Sequence, residues 1–317
     1  RRVRRSNIIV MPRHISIVFP GQGSQTLGML DPLPKDLVNK YKDDVIEALN
    51  FDLIDLITNG SNEELNKTSI TQPAVLLTSF LYYEYISQLL DITPDLLCGH
   101  SLGEYTALLV GGGLELKDAL SLVHNRGLLM ETADSGLMYA ILNVDFSIIN
   151  ETCLKISNET NLIVSPANIN SPNQVVISGN SEAVKLVITN LNEQGHKKNI
   201  KLNVTVPSHC KLMNEPASKF SKILDKLSLQ LPKYKVIHNI NSDTSSSIEE
   251  LKLNLVNQLI EPVRWVDSMN YIKKFNGIII ECGPGKVLSG LAKGNNINNN
   301  VYTTSSINFF EEIKKII

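Results

Sequence analysis

Short apolar runs alternate with helix-compatible stretches along most of the chain. Residues 15–19 (Ile-Ser-Ile-Val-Phe) read as a buried strand that stops at Pro20-Gly21-Gln22-Gly23-Ser24-Gln25. Two mainly helical segments follow, one opening at Thr71-Gln72-Pro73-Ala74. There proline takes the first turn, and an apolar stripe runs through Leu76, Leu77, Phe80 and Tyr83. The apolar run Leu96-Leu97-Cys98 then meets Gly99-His100-Ser101-Leu102-Gly103, and a helical pattern continues to Val110. A further helix is expected over 116–130, carrying His124 and Arg126. Later come a helix from Lys211, a strand at 234–237, a helix at 251–260 and a strand at 277–281. That last strand ends in Gly283-Pro284-Gly285 before a helix from Lys286. Strands alternating with helices predict a largely parallel sheet covered on both faces.

The rhythm changes after the small-residue break Thr132-Ala133-Asp134-Ser135-Gly136. A strand at 137–144, a helix at 146–156 and a strand at 162–164 are followed by the turn Ser171-Pro172-Asn173-Gln174. Then come a strand at 175–177, a helix from Asn180 to Asn192 and a strand at 200–206. The order β-α-β-β-α-β is that of a ferredoxin-like unit. The fold class is therefore α/β: an α/β-hydrolase-like core over 12–134 and 205–317, with an inserted ferredoxin-like subdomain at 135–204. Residues 1–11 form a basic N-terminal tail.

Composition narrows the function. With 317 residues, 43% apolar and 20% charged, the chain has the make-up of an ordinary soluble globular protein. A formal net charge of -2 argues against a general nucleic-acid binder, which needs a basic face. Cys98, Cys153, Cys210 and Cys282 show no C-x-x-C pair and no metal-type spacing with histidine, so they read as buried thiols in a reducing compartment. No apolar run approaches the length of a membrane span. Arg1-Arg2-Val3-Arg4-Arg5-Ser6 leads into too few apolar residues for a secretory signal. A trimmed transit peptide there would place the protein in a plastid-type organelle such as an apicoplast; otherwise the cytoplasm is expected. The asparagine run at 295–300 reads as a low-complexity loop.

The chemistry centres on Gly99-His100-Ser101-Leu102-Gly103, a G-x-S-x-G pattern in strand–turn–helix context. Such an elbow lifts a serine to a helix N-terminus, whose free N–H groups suit a nearby oxyanion. The plainer reading is an N-cap, because Ser101-x-x-Glu104 is a fair capping box. A serine hydroxyl needs a base to become a nucleophile. Of six histidines, His209 is the best candidate, in a Pro-Ser-His turn directly after a strand. His100 adjoins the serine, with its side chain expected to point away. His14, His124, His196 and His238 have no partner pattern. The Gly21–Gln25 loop lacks a following G-K-[ST], so it reads as a loop lending backbone N–H groups rather than as a P-loop.

Gly21-Gln22-Gly23-Ser24-Gln25, Gly99-His100-Ser101-Leu102-Gly103-Glu104, Arg126, Pro207-Ser208-His209 and Glu281-Cys282-Gly283-Pro284-Gly285 occur in this order. Together they resemble the malonyl-CoA:acyl carrier protein transacylase family of type II fatty acid synthesis, from about residue 15 to 305. The resemblance implies a ping-pong reaction through a malonyl ester on Ser101, with His209 as base and the backbone N–H groups of Gln22 and Leu102 as oxyanion hole. Arg126 would bind the malonyl carboxylate, which a guanidinium pairs bidentately. Gln258 matches the position whose carbonyl orients the histidine, giving a Ser–His dyad without an acidic third member. Cys282 stands where other members often have valine.

No cofactor or metal is expected; malonyl-CoA is the substrate and phosphopantetheine arrives on the acyl carrier protein. That partner is acidic, so a locally basic docking surface is expected, with Lys197, Lys198, Lys201, Arg264, Lys286 and Lys293 as candidates near the motif-bearing loops. A monomer is expected, since no exposed coiled-coil pattern stands out. Two other readings compete. A serine hydrolase accounts for Ser101 and His209 but leaves Arg126 and the Gly21–Gln25 loop idle. A non-catalytic carrier-protein scaffold leaves all of them idle.

Overall fold

The computed structural model describes residues 13–204 and 206–316; the expected basic tail lies outside them. Among the described residues there are nine strands: β1 (His14–Phe19), β2 (Leu96–Gly99), β3 (Gly136–Leu142), β4 (Val164–Ser171), β5 (Gln174–Asn180), β6 (Asn199–Lys201), β7 (Lys235–Ile237), β8 (Gly277–Glu281) and β9 (Asn300–Thr303). They form two sheets. The first has the order β7-β2-β1-β8-β9, and every pairing is parallel.

Alternation of side chains along a strand explains why these strands read as continuous apolar runs. Ile17 and Phe19 of β1 join Leu97, Ile278 and Ile280 in one core cluster, while Val18 joins Leu96, Cys98, Ile237 and Ile279 in another on the opposite face. The Thr68–Leu89 and Leu102–Val110 helices feed the first cluster with residues such as Leu76, Leu77 and Leu108. The second is closed by Trp265, Met269 and Ile272 from the Trp265–Ile272 helix and by Leu288 and Ala292 from the Val287–Gly294 helix.

The second sheet has the order β4-β5-β3-β6, antiparallel throughout, with the Phe146–Thr160 and Ser181–Glu193 helices packed on one face. This is the ferredoxin-like arrangement. Its other face, with Met138, Ala140, Ala167 and Val176, has Leu202 and Val204 against it.

Several boundaries differ from expectation. The helix read as opening at Thr71 begins at Thr68, so Pro73 sits inside it. Proline offers no N–H to the carbonyl four residues earlier. That carbonyl, on Ser69, instead accepts from His124 Nδ1 at 2.7 Å, so His124 has a partner the sequence did not announce. The strand expected over 200–206 pairs only over Asn199–Lys201. The asparagine run is a loop as expected over 295–299, tied down by the buried Asn295, which donates to the Asn170 and Leu291 carbonyls, and only Asn300 departs from it by opening β9. The Trp265–Ile272 helix and β9 had no counterpart in the sequence reading.

Candidate active site

The site lies at the carboxyl edge of the parallel sheet, where loops leaving β1, β2 and β7 converge. After β2 the chain turns sharply at Ser101, which takes φ 51° and ψ −110°. This is a costly backbone for a non-glycine residue, of a kind concentrated at functional sites. The flanking glycines permit the close packing. A Cβ on Gly99 would lie 1.8 Å from the Gly103 carbonyl carbon, and one on Gly103 would lie 2.1 Å from the Phe19 carbonyl oxygen.

Two amide side chains hold the strained serine. Asn239, just past β7, accepts from the Ser101 N–H at 2.7 Å, and Gln258 Nε2 donates to the Ser101 carbonyl at 2.9 Å. The capping-box reading fails. Ser101 occupies the N-cap position of the Leu102–Val110 helix, but its side chain makes no capping bond. Its Oγ lies 2.8 Å from His209 Nε2 instead. Glu104, the box's other half, is fully buried and accepts from Gln258 Nε2, the Asn239 N–H and His238 Nδ1.

His209 is buried, at φ 59°, and its Nδ1 donates to the backbone carbonyl of Gln258 at 2.6 Å. A carbonyl can only accept, so the proton sits on Nδ1 and the Nε2 lone pair faces the Ser101 hydroxyl. Burial first, then the Arg126 charge, pushes the imidazole pKa down to about 3, against the pull of the Gln258 carbonyl. The ring is therefore a neutral acceptor at physiological pH.

Arg126 is buried on the Leu116–Glu131 helix. Nη1 donates to Gln72 Oε1 at 2.8 Å and Nη2 to Gln258 Oε1 at 2.9 Å, while Nε has no partner among the described residues. The guanidinium lies 5.1 Å from the Tyr105 ring centroid. No carboxylate forms an ion pair with it among the described residues. A buried cation held by two neutral amides, with Nε and the second N–H of each terminal nitrogen uncommitted among the described residues, is a receptor for an anion.

Ser101, His209, Arg126, Gln22 and Leu102 all line one cavity of about 110 Å³, whose remaining wall includes the apolar Met138 and Leu202. Leu102 is the first residue of the helix behind the serine, and Gln22 lies in the turn after β1. Among the described residues neither backbone N–H has a hydrogen-bond partner. Gln258 reaches this group from the Ile248–Ile260 helix.

His100 turns toward the subdomain, its Nε2 2.7 Å from Asn170 Oδ1 and its ring beside Trp265. His238, which had no partner pattern, is buried between Glu104 and Ser245. The six candidate docking cations are all exposed, and Arg264 pairs with Asp267 at 2.6 Å. Sequence reasoning missed Gln72, Asn239 and the inward role of Glu104. The position of Asn239, just beyond the carboxyl end of a strand beside β2, was the signal available. Among the described residues no group of three or more His, Cys, Asp or Glu side chains could hold a metal ion.

Comparison with known proteins bears on the family and the fold. The acyl transferase domain family matches residues 17–291. The malonyl CoA-acyl carrier protein transacylase of Haemophilus influenzae is 39% identical over 290 residues, 89% of this chain and 92% of that protein. The solved malonyl CoA-acyl carrier protein transacylase of Coxiella burnetii superposes with a TM-score of 0.92 at 35% identity, covering 96% of this chain and 98% of that one. A malonyl-transacylase solved in complex with its type II PKS acyl-carrier protein gives a TM-score of 0.91 at 36% identity, covering 95% and 99%.

Proposed function

The chain belongs to the acyl transferase domain family as a malonyl-CoA–acyl carrier protein transacylase, and on that premise we propose that it works by a ping-pong reaction through a malonyl ester on Ser101. The observation that carries this reading is the Ser101 Oγ–His209 Nε2 contact of 2.8 Å in a cavity that also holds the buried Arg126.

In the first half-reaction His209 Nε2 takes the Ser101 proton as Oγ attacks the malonyl thioester carbonyl. The tetrahedral oxyanion is met by the Gln22 and Leu102 N–H groups, which need no reorganisation because nothing else occupies them. Collapse expels the CoA thiolate, which takes the proton back from His209. In the second half-reaction His209 deprotonates the phosphopantetheine thiol of the carrier protein. The thiolate attacks the ester, and Ser101 leaves with the proton. Gln258 holds the imidazole through a neutral carbonyl, so no carboxylate hydrogen-bonds directly to it among the described residues.

Arg126 selects the acyl group. A malonyl carboxylate supplies the direct ion-pair partner that the guanidinium lacks, whereas an acetyl group leaves its unused N–H donors unmatched. The same pairing tunes the base. The Arg126 charge is one cause of the low His209 pKa, so a carboxylate that neutralises it makes His209 more basic. The correct substrate thereby strengthens its own base.

The acidic carrier protein would dock on exposed cations, with Lys197, Lys198, Lys201, Lys286 and Lys293 as candidates. The product, a malonyl thioester of that carrier, would feed chain elongation in fatty acid synthesis. The test is a single turnover with radiolabelled malonyl-CoA. The label is expected to stay on the enzyme in buffer and to move to added holo carrier protein. Rapid loss to water, unaffected by the carrier, would make the protein a hydrolase.

A further inference from the structure

The anion opposite Arg126 is one amide away. Gln258 Oε1 accepts from Arg126 Nη2 at 2.9 Å, and Gln258 Nε2 donates to Glu104 Oε2 at 2.8 Å. The amide cannot be turned round. A guanidinium only donates, so the oxygen must face Arg126, and the nitrogen then faces Glu104 and the Ser101 carbonyl. Glu104 is 0% exposed; its Oε2 accepts from Gln258 Nε2 and the Asn239 N–H at 2.9 Å, and its Oε1 lies 2.6 Å from His238 Nδ1. Gln258 Nε2 and the Asn239 N–H can only donate to it, and His238 Nδ1 is the third donor in the tautomer that carries its proton there. On the far side Ser245 Oγ lies 2.6 Å from His238 Nε2 and accepts from Asn254 Nδ2 at 2.9 Å. A complete assignment has the serine hydroxyl donating to Nε2, with the imidazole proton on Nδ1 toward Glu104.

We propose that Glu104 is the buried counter-charge of Arg126 and, acting through the Gln258 amide, sets how tightly the clamp holds a substrate carboxylate. The proposal rests on the reading of Arg126 as the malonyl clamp. Buried charges persist when paired, and here the pair is separated by an amide whose oxygen meets the cation and whose nitrogen meets the anion. The separation matters for turnover. A direct ion pair would leave the guanidinium no capacity for substrate, whereas an isolated guanidinium would hold any carboxylate too firmly to release it. A carboxylate in the cavity is the second anion that Arg126 meets, so its affinity is tempered. Glu104 touches no reacting atom and is a positioning residue that determines specificity.

Glu104→Gln tests this because it keeps the shape and removes the charge. The new amide oxygen still accepts from Gln258 and Asn239. Its nitrogen faces His238 Nδ1, which becomes an acceptor when the imidazole proton shifts to Nε2 and donates to Ser245. The measurement is binding of free malonate, by calorimetry and by shift in melting temperature, alongside KM for malonyl-CoA and acetyl-CoA. Glu104→Gln is expected to bind malonate about tenfold more tightly than the unaltered protein. KM for malonyl-CoA should fall with it, and KM for acetyl-CoA should stay unchanged. Glu104→Asp, which keeps the charge, should bind malonate within about twofold of the unaltered protein.

A merely structural role predicts the opposite sign, because a loosened clamp binds malonate more weakly; unchanged or weaker binding by Glu104→Gln overturns the proposal. So does a Glu104→Asp variant that behaves like Glu104→Gln. Should Glu104→Gln fold only when malonate is present, the missing counter-charge is identified by that rescue, and failure of malonate to rescue it contradicts the proposal. The clamp reading fails separately, if malonate does not stabilise the unaltered protein or still stabilises Arg126→Ala.

Discussion

The two sheets that meet at the cavity divide its work. Loops at the carboxyl edge of the parallel sheet carry Ser101, Gln22 and Asn239, and helices packed around that sheet bring in Arg126 and Gln258. The antiparallel sheet turns Met138 to the same space, with Leu202 and Val204 from the segment after β6. One region supplies charges, donors and the nucleophile; the other supplies a largely apolar wall. Parallel strands end together, so the loops leaving them gather polar groups at one edge. The antiparallel sheet keeps one face for its own helices, and its remaining face is free to exclude water from its neighbour. Exclusion of water is what gives the Arg126 charge its reach, because electrostatic effects grow as the local dielectric falls.

Substitutions on the two sides should therefore differ in kind as well as size. Ser101→Ala should lower malonyl transfer by about 10⁴-fold or more, with the fold intact by circular dichroism. Arg126→Ala comes next. Transfer from malonyl-CoA should fall by about 10²–10³-fold, while the relative rate with acetyl-CoA rises. An unchanged malonyl-to-acetyl preference would remove Arg126 from the clamp.

The pH dependence sharpens the same side. His209 has its pKa depressed from 6.5 to about 3 in the folded chain. Above pH 6.5 the imidazole is neutral in both states, and stability is unaffected. As pH falls from 6.5 toward 3 the unfolded chain takes up the proton first. Stability then drops by about 1.4 kcal/mol per pH unit from this group. Chemical denaturation across that window measures the slope, and His209→Gln should flatten it. The single-turnover acylation rate should stay level down through pH 6, where an unperturbed imidazole would already be half protonated near 6.5. In Arg126→Ala the acid limb should move to higher pH, because one of the causes of the depression is gone.

Met138→Ala on the apolar wall is expected to be the mildest for chemistry. It should cost about 2 kcal/mol or more in stability by thermal denaturation. Its malonyl-to-acetyl preference should stay within about twofold of the unaltered protein. A selectivity change as large as that of Arg126→Ala would mean that the wall also reads the acyl group.

Much of this was legible in the chain for a physical reason. A strand buried on both faces is apolar at most positions, so β1, β2 and β8 stood out despite Ser16 and Glu281. The elbow stood out because Gly99 and Gly103 are forced by contacts closer than any side chain allows. What stayed hidden is carried by partners distant in sequence. Ser101 and Glu104 have a capping-box spacing, but only the fold shows that Asn239, Gln258 and His238 draw the glutamate inward, away from the Ser101 N–H. Pro73 read as a first-turn residue because nothing local reveals that His124 satisfies the Ser69 carbonyl. Residues 202–204 have a strand's pattern, yet β6 stops at Lys201, and Leu202 and Val204 line the cavity.

The most direct test of the account is peptide mapping by mass spectrometry of acid-quenched enzyme exposed to equal amounts of malonyl-CoA and acetyl-CoA. The predicted result is a malonyl group on the peptide bearing Ser101, little acetyl there, and loss of the malonyl group when holo carrier protein is added before the quench. A malonyl group on any other residue, or its persistence on Ser101→Ala enzyme, would contradict the account.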